Sequence, residues 1–117
     1  MKKVMIKKVN SNFEGYNEPH QCHKNSFNYC YDNYSCKFVV GRIFDGCIPH
    51  CIVQLQNGEY IDPTLNEERE FEIDYIYSID EIMKIFSTEQ MYFFPTQWTL
   101  SRKGEIFKYE GTKRIVK

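Results

Sequence analysis

The strongest constraint on the fold of this chain is the pair Asn57-Gly58, which lies between two runs of strand-forming residues. Asn-Gly is favoured in tight β-hairpin turns because both residues accept a positive φ. Residues 47–55 before the pair and residues 59–62 after it are therefore predicted to form antiparallel strands. Pro63 ends the second strand, since proline has no backbone N–H to donate to a sheet.

Helices and strands are segregated along the chain, which favours an α+β fold. Apolar residues at helical spacing predict a helix over residues 21–34, followed by a strand over residues 37–44 and the hairpin. Ser78 and Glu81 make a capping box that opens a second helix over residues 79–86. Further strands are predicted over residues 2–9, 70–77, 92–100 and 105–109. The predicted fold class is α+β, with an N-terminal helix packed on an antiparallel sheet.

Length and charge exclude several classes of protein. A chain of 117 residues suits one domain, residues 1–117, and 15 basic against 16 acidic residues lack the basic excess of nucleic-acid-binding proteins. No apolar run approaches the ~18 residues of a membrane helix, and early lysines interrupt the first apolar run before it reaches signal-peptide length. We therefore expect a cytoplasmic protein that binds neither nucleic acid nor membrane.

The chain has five cysteines, so at least one of them would stay unpaired even if the others formed disulfides. In the cytoplasm we expect all of them to be reduced. Cys22 lies at the predicted helix start and off the apolar stripe, where the helix dipole and free N–H groups lower the pKa of a thiol. Cys22 is therefore the candidate nucleophile. The others are expected to fill the core: Cys30, Cys36, Cys47 and Cys51.

A nucleophilic thiol needs a base, and the base needs a group that orients it. His50 lies on the strand before the hairpin and Asp62 ends the strand after it, so the turn brings them back together. His20 and His23 flank Cys22, but neighbours on a helix do not face each other. His23 also falls near the apolar stripe, which indicates a structural role. The candidate base is therefore His50, with Asp62 as its partner.

The register of the hairpin decides whether Asp62 can reach His50. A two-residue turn places Asp62 opposite Val53, on the other face of the sheet from His50. A three-residue loop with its glycine in a bulge places Asp62 opposite Ile52, on the His50 face, because successive side chains alternate between faces. A Cys-His-Asp triad therefore predicts the second register.

These residues resemble a known family, the transglutaminase-like and papain-like cysteine hydrolases. Residues 50–64, from His50 through the glycine turn to Asp62-Pro63-Thr64, look like the transglutaminase-like core, in which a histidine begins a strand and an aspartate closes the next. Residues 21–26, Gln-Cys-His-Lys-Asn-Ser, also resemble a Cys-His-x-Asn segment of small bacterial and phage proteins of this type. The resemblance covers about residues 20–65.

The resemblance implies a minimal papain-like core with a role for each residue. Cys22 would be the nucleophile, His50 the general base and later acid, and Asp62 the group that orients the imidazole. The oxyanion would meet the backbone N–H of Cys22 and one side-chain donor. Family members usually place a glutamine several residues before the cysteine, whereas here a glutamine directly precedes it. Three side chains are therefore candidates for that donor: Gln21, Asn17 and His20.

The expected function is thiol-dependent hydrolysis or acyl transfer at an amide of a protein or peptide: a peptide bond, an isopeptide bond or a glutamine side chain. No cofactor and no metal are expected. Two alternatives remain open. Charge is segregated, with residues 59–81 mostly acidic, which would suit a non-catalytic phage or bacterial protein that binds and inhibits a host protein. Cys47 and His50 have zinc-ligand spacing, although no second such pair is evident, so a structural zinc module is the other alternative.

Overall fold

The computed structural model describes residues 2–82, 98–100, 106–110 and 113–116. In chain order the elements are β1 (Lys2–Lys7), α1 (Cys22–Asp32), β2 (Lys37–Ile43), β3 (Ile48–Gln54), β4 (Tyr60–Ile61), β5 (Arg69–Tyr77), β6 (Trp98–Leu100), β7 (Ile106–Glu110) and β8 (Lys113–Val116). Residues 79–82 are also helical. No helix among these residues is long and apolar enough to cross a membrane.

Most element positions agree with the sequence-based prediction, within two or three residues at each end. The capping box is confirmed: the Ser78 N–H donates to Glu81 Oε1 at 2.8 Å, and the Glu81 N–H donates to Ser78 Oγ at 3.1 Å. The predicted helix over residues 79–86 and the predicted strand over 92–100 lie partly outside the described residues. Strand β8 was not predicted.

Five strands close into a barrel in the order β1-β4-β3-β2-β5. Strands β2, β3 and β4 form the antiparallel meander expected from the hairpin signals. Strand β1 closes the barrel, since it pairs in parallel with β4 and antiparallel with β5. Closure provides hydrogen-bond partners for strand edges that an open sheet would leave unpaired.

The predicted fold class, α+β with the cysteine helix packed on an antiparallel sheet, is wrong. The described residues are mostly strand, with a closed five-stranded barrel and only two short helices, α1 and residues 79–82. The error arises at β1, whose Ile6 pairs with the distant Tyr60. Hydrophobic periodicity indicates the secondary structure of a segment but not its distant pairing partner. The closure of the barrel was therefore not predicted, and the expected minimal papain-like core is wrong.

The interior of the barrel is apolar and closely packed. Its buried residues are Ile6, Val39, Ile43, Ile52, Tyr60, Phe71 and Ile73. Gly41 of β2 lies beside β5 at a shift in register, where a Cβ would overlap the Glu72 carbonyl and the Phe71 ring. The absence of a side chain at Gly41 therefore allows β2 and β5 to approach each other across this bulge.

A second core cluster joins α1 to the wall of the barrel. Phe27 and Cys30 of α1 belong to it, and Cys22 and Tyr29 pack against its edge. The other buried members are Phe13, Cys36, Phe38, Val40, Cys51, Val53, Ile61, Ile79 and Ile82. This cluster holds the N-terminal end of α1 beside β3, where His50 lies.

Candidate active site

The hairpin between β3 and β4 has the register that the triad hypothesis predicts. Val53 pairs with Ile61, and the connecting loop has three residues and ends on Gly58, whose φ is 92°. In this register Asp62 lies on the same face of the hairpin as His50. The positive φ of the loop glycine is what makes the three-residue loop favourable.

His50 and Asp62 form a buried pair. His50 Nε2 lies 2.7 Å from Asp62 Oδ2, and the two side chains are 7% and 1% exposed. Asp62 Oδ1 accepts the backbone N–H groups of Thr64 at 3.0 Å and Leu65 at 3.2 Å. The turn after β4 therefore holds the carboxylate, and the carboxylate orients the imidazole. With Nε2 donating to Asp62, Nδ1 is the ring nitrogen left for the thiol.

Cys22 is the half-buried first residue of α1, and its side chain interacts with that of His50. The hydrogen bond with Cys51, followed by those with His23 and His50, holds the pKa of Cys22 well below the ordinary value, although burial opposes this. Burial by itself lowers the pKa of His50, but hydrogen bonds with Asp62 and Cys22 raise it to about 9. Together these shifts favour a thiolate–imidazolium pair at neutral pH.

Two neighbours of the thiol, His23 and Cys51, were assigned by the sequence to structural roles. His23 follows Cys22 at the start of α1, and its side chain interacts with the thiol. Cys51 reaches it because α1 lies against β3. The adjacency of His23 to Cys22 was a usable signal for the first contact. No local pattern indicates the second, which depends on packing between distant segments.

The three candidate oxyanion donors differ in their surroundings. Gln21 directly precedes the nucleophile, and its buried Oε1 has no hydrogen-bond partner in the part of the chain that the structure describes. Asn17 Nδ2 donates instead to the Asn12 carbonyl at 2.9 Å, and His20 is exposed. Gln21 is the nearest of the three to Cys22 in the chain, and its Nε2, not the unpaired Oε1, is the atom that could donate to an oxyanion. The backbone N–H of Cys22 belongs to the first turn of α1, whose N–H groups lack helical partners.

Asn25 ties the nucleophile helix to the loops on both sides of the site. It is 2% exposed, and its Nδ2 donates to the Glu18 carbonyl at 2.8 Å and to Thr64 Oγ1 at 2.9 Å. Its Oδ1 accepts the Glu18 N–H at 3.2 Å. Thr64 follows Asp62 by two residues, so Asn25 links Cys22 to the turn that holds the aspartate.

We expect Asn25→Ala to lower the free energy of unfolding by about 1–3 kcal/mol, because it removes the three hydrogen bonds of a buried side chain. Urea denaturation followed by circular dichroism measures the loss. Asn33→Ala is the matched control, since Asn33 Nδ2 also donates to a carbonyl, that of Tyr29 at 2.9 Å, but from an exposed position. An equal loss in the two variants would contradict a specific role for Asn25.

The remaining cysteines do not form a second site. Cys30 and Cys36 are buried as predicted, and burial raises the pKa of both. Cys47 was also expected in the core, but it is exposed in the β2–β3 turn. Within residues 2–82 and the three described strands beyond them, no group of three or more His, Cys, Asp or Glu residues is arranged to hold a metal ion. The zinc alternative therefore gains no support from this geometry.

Cys22, His50 and Asp62, which the sequence singles out, thus lie together at one site beside β3. Comparisons with protein-family models, with curated proteins and with solved structures found no match to this chain. The basis for a function is therefore the chemistry of these side chains and their order along the chain.

Proposed function

We propose that this protein is a thiol-dependent hydrolase or acyl transferase that acts on an amide through Cys22, His50 and Asp62. The observation that carries the proposal is the buried His50–Asp62 pair, with 2.7 Å between Nε2 and Oδ2, beside the thiol at the start of α1, whose interaction with His50 lowers the pKa of Cys22. Nucleophile, base and orienting carboxylate in this sequence of contacts are the requirements for acyl transfer on several unrelated folds. The barrel is therefore compatible with this chemistry even though it is not the fold that was expected.

In the proposed reaction the Cys22 thiolate attacks the amide carbonyl carbon, and His50 gives its Nδ1 proton to the departing amine. A thioester forms on Cys22. Water or a second amine, deprotonated by His50, then attacks the thioester and releases the acyl group. Asp62 keeps Nε2 protonated and stabilises the imidazolium form. The Cys22 backbone N–H and the Gln21 side chain would stabilise the oxyanion.

A protein or peptide is the substrate class that we propose, and no cofactor is needed for these steps. Hydrolysis and amine transfer share the first step and differ only in what attacks the thioester. A reducing cytoplasm is the proposed compartment, because it would keep Cys22 available as a thiolate. A Cys22→Ala protein that retained the full biological effect would favour the alternative of a non-catalytic protein that binds and inhibits a host protein.

Iodoacetamide tests the state of the nucleophile. We expect Cys22 to be alkylated at similar rates at pH 6 and pH 8, because the lowered pKa keeps its thiolate formed at both. Free cysteine in the same solution is the reference, and its rate should fall by about two orders of magnitude, since its pKa is roughly 8.5. Peptide mapping by mass spectrometry assigns the alkylated residue. A pH dependence at Cys22 equal to that of free cysteine would contradict the ion pair.

An activated acyl donor tests the first chemical step. With p-nitrophenyl acetate we expect a burst of p-nitrophenolate and one acetyl group on Cys22, detected in the intact mass and located by peptide mapping. Cys47→Ser removes an exposed thiol outside the site and should leave the burst unchanged. Acetylation of lysines or of Cys47, with Cys22 unmodified, would count against the proposed function.

A further inference from the structure

A second thiol lies against the proposed nucleophile. Cys22 packs against the core cluster that contains Cys51, and the interaction between the two thiols lowers the pKa of Cys22 and raises that of Cys51. A neighbouring contact supports this arrangement: Ser26 Oγ donates to the Cys51 carbonyl oxygen at 3.1 Å. Ser26 follows Cys22 by one helical turn and therefore lies on the same face of α1. The first two turns of α1 thus lie against Cys51.

The two thiols differ in their access to solvent. Cys22 is half-buried, so a small solute can reach it, whereas Cys51 is 4% exposed. The acyl-transfer steps use Cys22 and give Cys51 no chemical part. An accessible thiolate with a second thiol beside it is the arrangement in which an oxidised cysteine is captured as a disulfide.

We propose that Cys22 and Cys51 form a reversible disulfide when the protein meets hydrogen peroxide, with Cys22 as the attacking thiolate and Cys51 as the resolving thiol. Cys22 attacks one peroxide oxygen, so that an S–O bond forms and the O–O bond breaks. The departing hydroxide takes the proton held by His50 and leaves as water. Cys22 is then a sulfenic acid.

Cys51 completes the reaction. Its sulfur attacks the Cys22 sulfur, an S–S bond forms, and the S–O bond breaks. The sulfenic hydroxyl leaves as water with the thiol proton of Cys51. Each sulfur has lost one electron and the peroxide has been reduced to water. Exchange with a dithiol such as dithiothreitol returns both cysteines to thiols.

The disulfide would block the nucleophile reversibly and protect it from further oxidation, because sulfinic acid is not reduced by ordinary thiols. This inference needs a reactive thiolate at Cys22 but not the acyl-transfer reaction. Its failure is therefore distinguishable from that of the proposed function: one is read as a cross-linked peptide and the other as an acetyl group on Cys22.

Peptide mapping after peroxide treatment tests the inference on the full chain. Purified protein is treated with equimolar hydrogen peroxide, alkylated with iodoacetamide and digested without reductant. We expect a cross-linked peptide pair that joins Cys22 to Cys51, and we expect dithiothreitol to abolish it. In Cys51→Ser we expect Cys22 to accumulate as sulfinic acid several-fold faster than in the wild type. Cys30→Ser is the control: it removes a buried thiol of α1 that is not part of the proposed pair, and the cross-link should still form.

Wild-type protein alone is sufficient to refute the inference, whether or not Cys51→Ser folds. Accumulation of sulfinic acid on Cys22 without the cross-linked pair would exclude Cys51 as the resolving thiol. A cross-link from Cys22 to Cys47 instead would assign resolution to the exposed turn and would also overturn the proposal.

Discussion

A His50→Ala protein is expected to hydrolyse p-nitrophenyl acetate about 10²–10⁴ times more slowly than the wild type, because general-base catalysis is lost. His50 hydrogen-bonds to the Asp62 carboxylate at 2.7 Å, and its interaction with Cys22 raises its pKa. Its removal takes away the cation that stabilises the thiolate and the base that activates water. The acetyl group should therefore persist on Cys22 once it has formed. Steady-state release of p-nitrophenolate and the intact mass measure the two effects.

Gln54→Ala is the matched control for this experiment. Gln54 lies on β3, on the same face as His50 but at the other end of the strand. Its replacement should therefore leave the steady-state release of p-nitrophenolate and the loss of the acetyl group from Cys22 at wild-type rates. Circular dichroism verifies that each variant is folded. If His50→Ala turned over the ester as fast as the wild type, His50 would not be the base. Adding glycinamide distinguishes hydrolysis from transfer, since an acyl transferase would form acetylglycinamide.

An Asp62→Ala protein is expected to lose about 3–5 kcal/mol of its free energy of unfolding, because a buried charged partner is removed. The substitution leaves His50 Nε2 and the backbone N–H groups of Thr64 and Leu65 without their acceptor. Urea denaturation measures the loss as a lower midpoint with an unchanged slope. Asp80→Ala is the control, since this exposed carboxylate accepts a bond from Tyr34 at 2.7 Å and its loss should change stability little.

Asp62→Asn separates the catalytic role of this residue from its structural role. Asparagine keeps the volume and an oxygen that can accept the N–H groups of Thr64 and Leu65. Its NH₂ group would face His50 and favour the tautomer with the proton on Nδ1, which cannot accept one from the thiol. We expect a smaller loss of stability than in Asp62→Ala, with ester hydrolysis lowered about 10³–10⁴-fold. Unchanged hydrolysis would make Asp62 only a strand-ending turn residue.

The candidate site was predictable because much of its information is local. A hairpin brings back residues at fixed offsets from its turn, so His50 and Asp62 could be paired from the positions of two strands and a glycine. The choice between the two registers was not determined by turn chemistry alone; the triad requirement selected the register that is observed. Cys22 was identified as the candidate nucleophile because the dipole at a helix start lowers the pKa of a thiol there.

The thiol environment was only partly predictable. The rule that adjacent helix positions face apart excluded His23 as a partner of Cys22, and its place near the apolar stripe indicated a structural role, yet His23 interacts with the thiol at the start of α1. Cys51 was assigned to the core, and it is buried. Its contact with Cys22 depends on how α1 lies against β3, which is a matter of packing.

By itself the sequence determined where most strands and α1 lie, the capping box at Ser78 and the identity of the three candidate residues. These features depend on turn chemistry, capping and periodicity, which act over a few residues. The tertiary structure alone decided that β1 pairs with both β4 and β5 to close a barrel. It also decided that Cys22 packs against the core cluster that contains Cys51. Both are contacts between distant segments, and they form because burying apolar surface in one core is favourable for the chain as a whole.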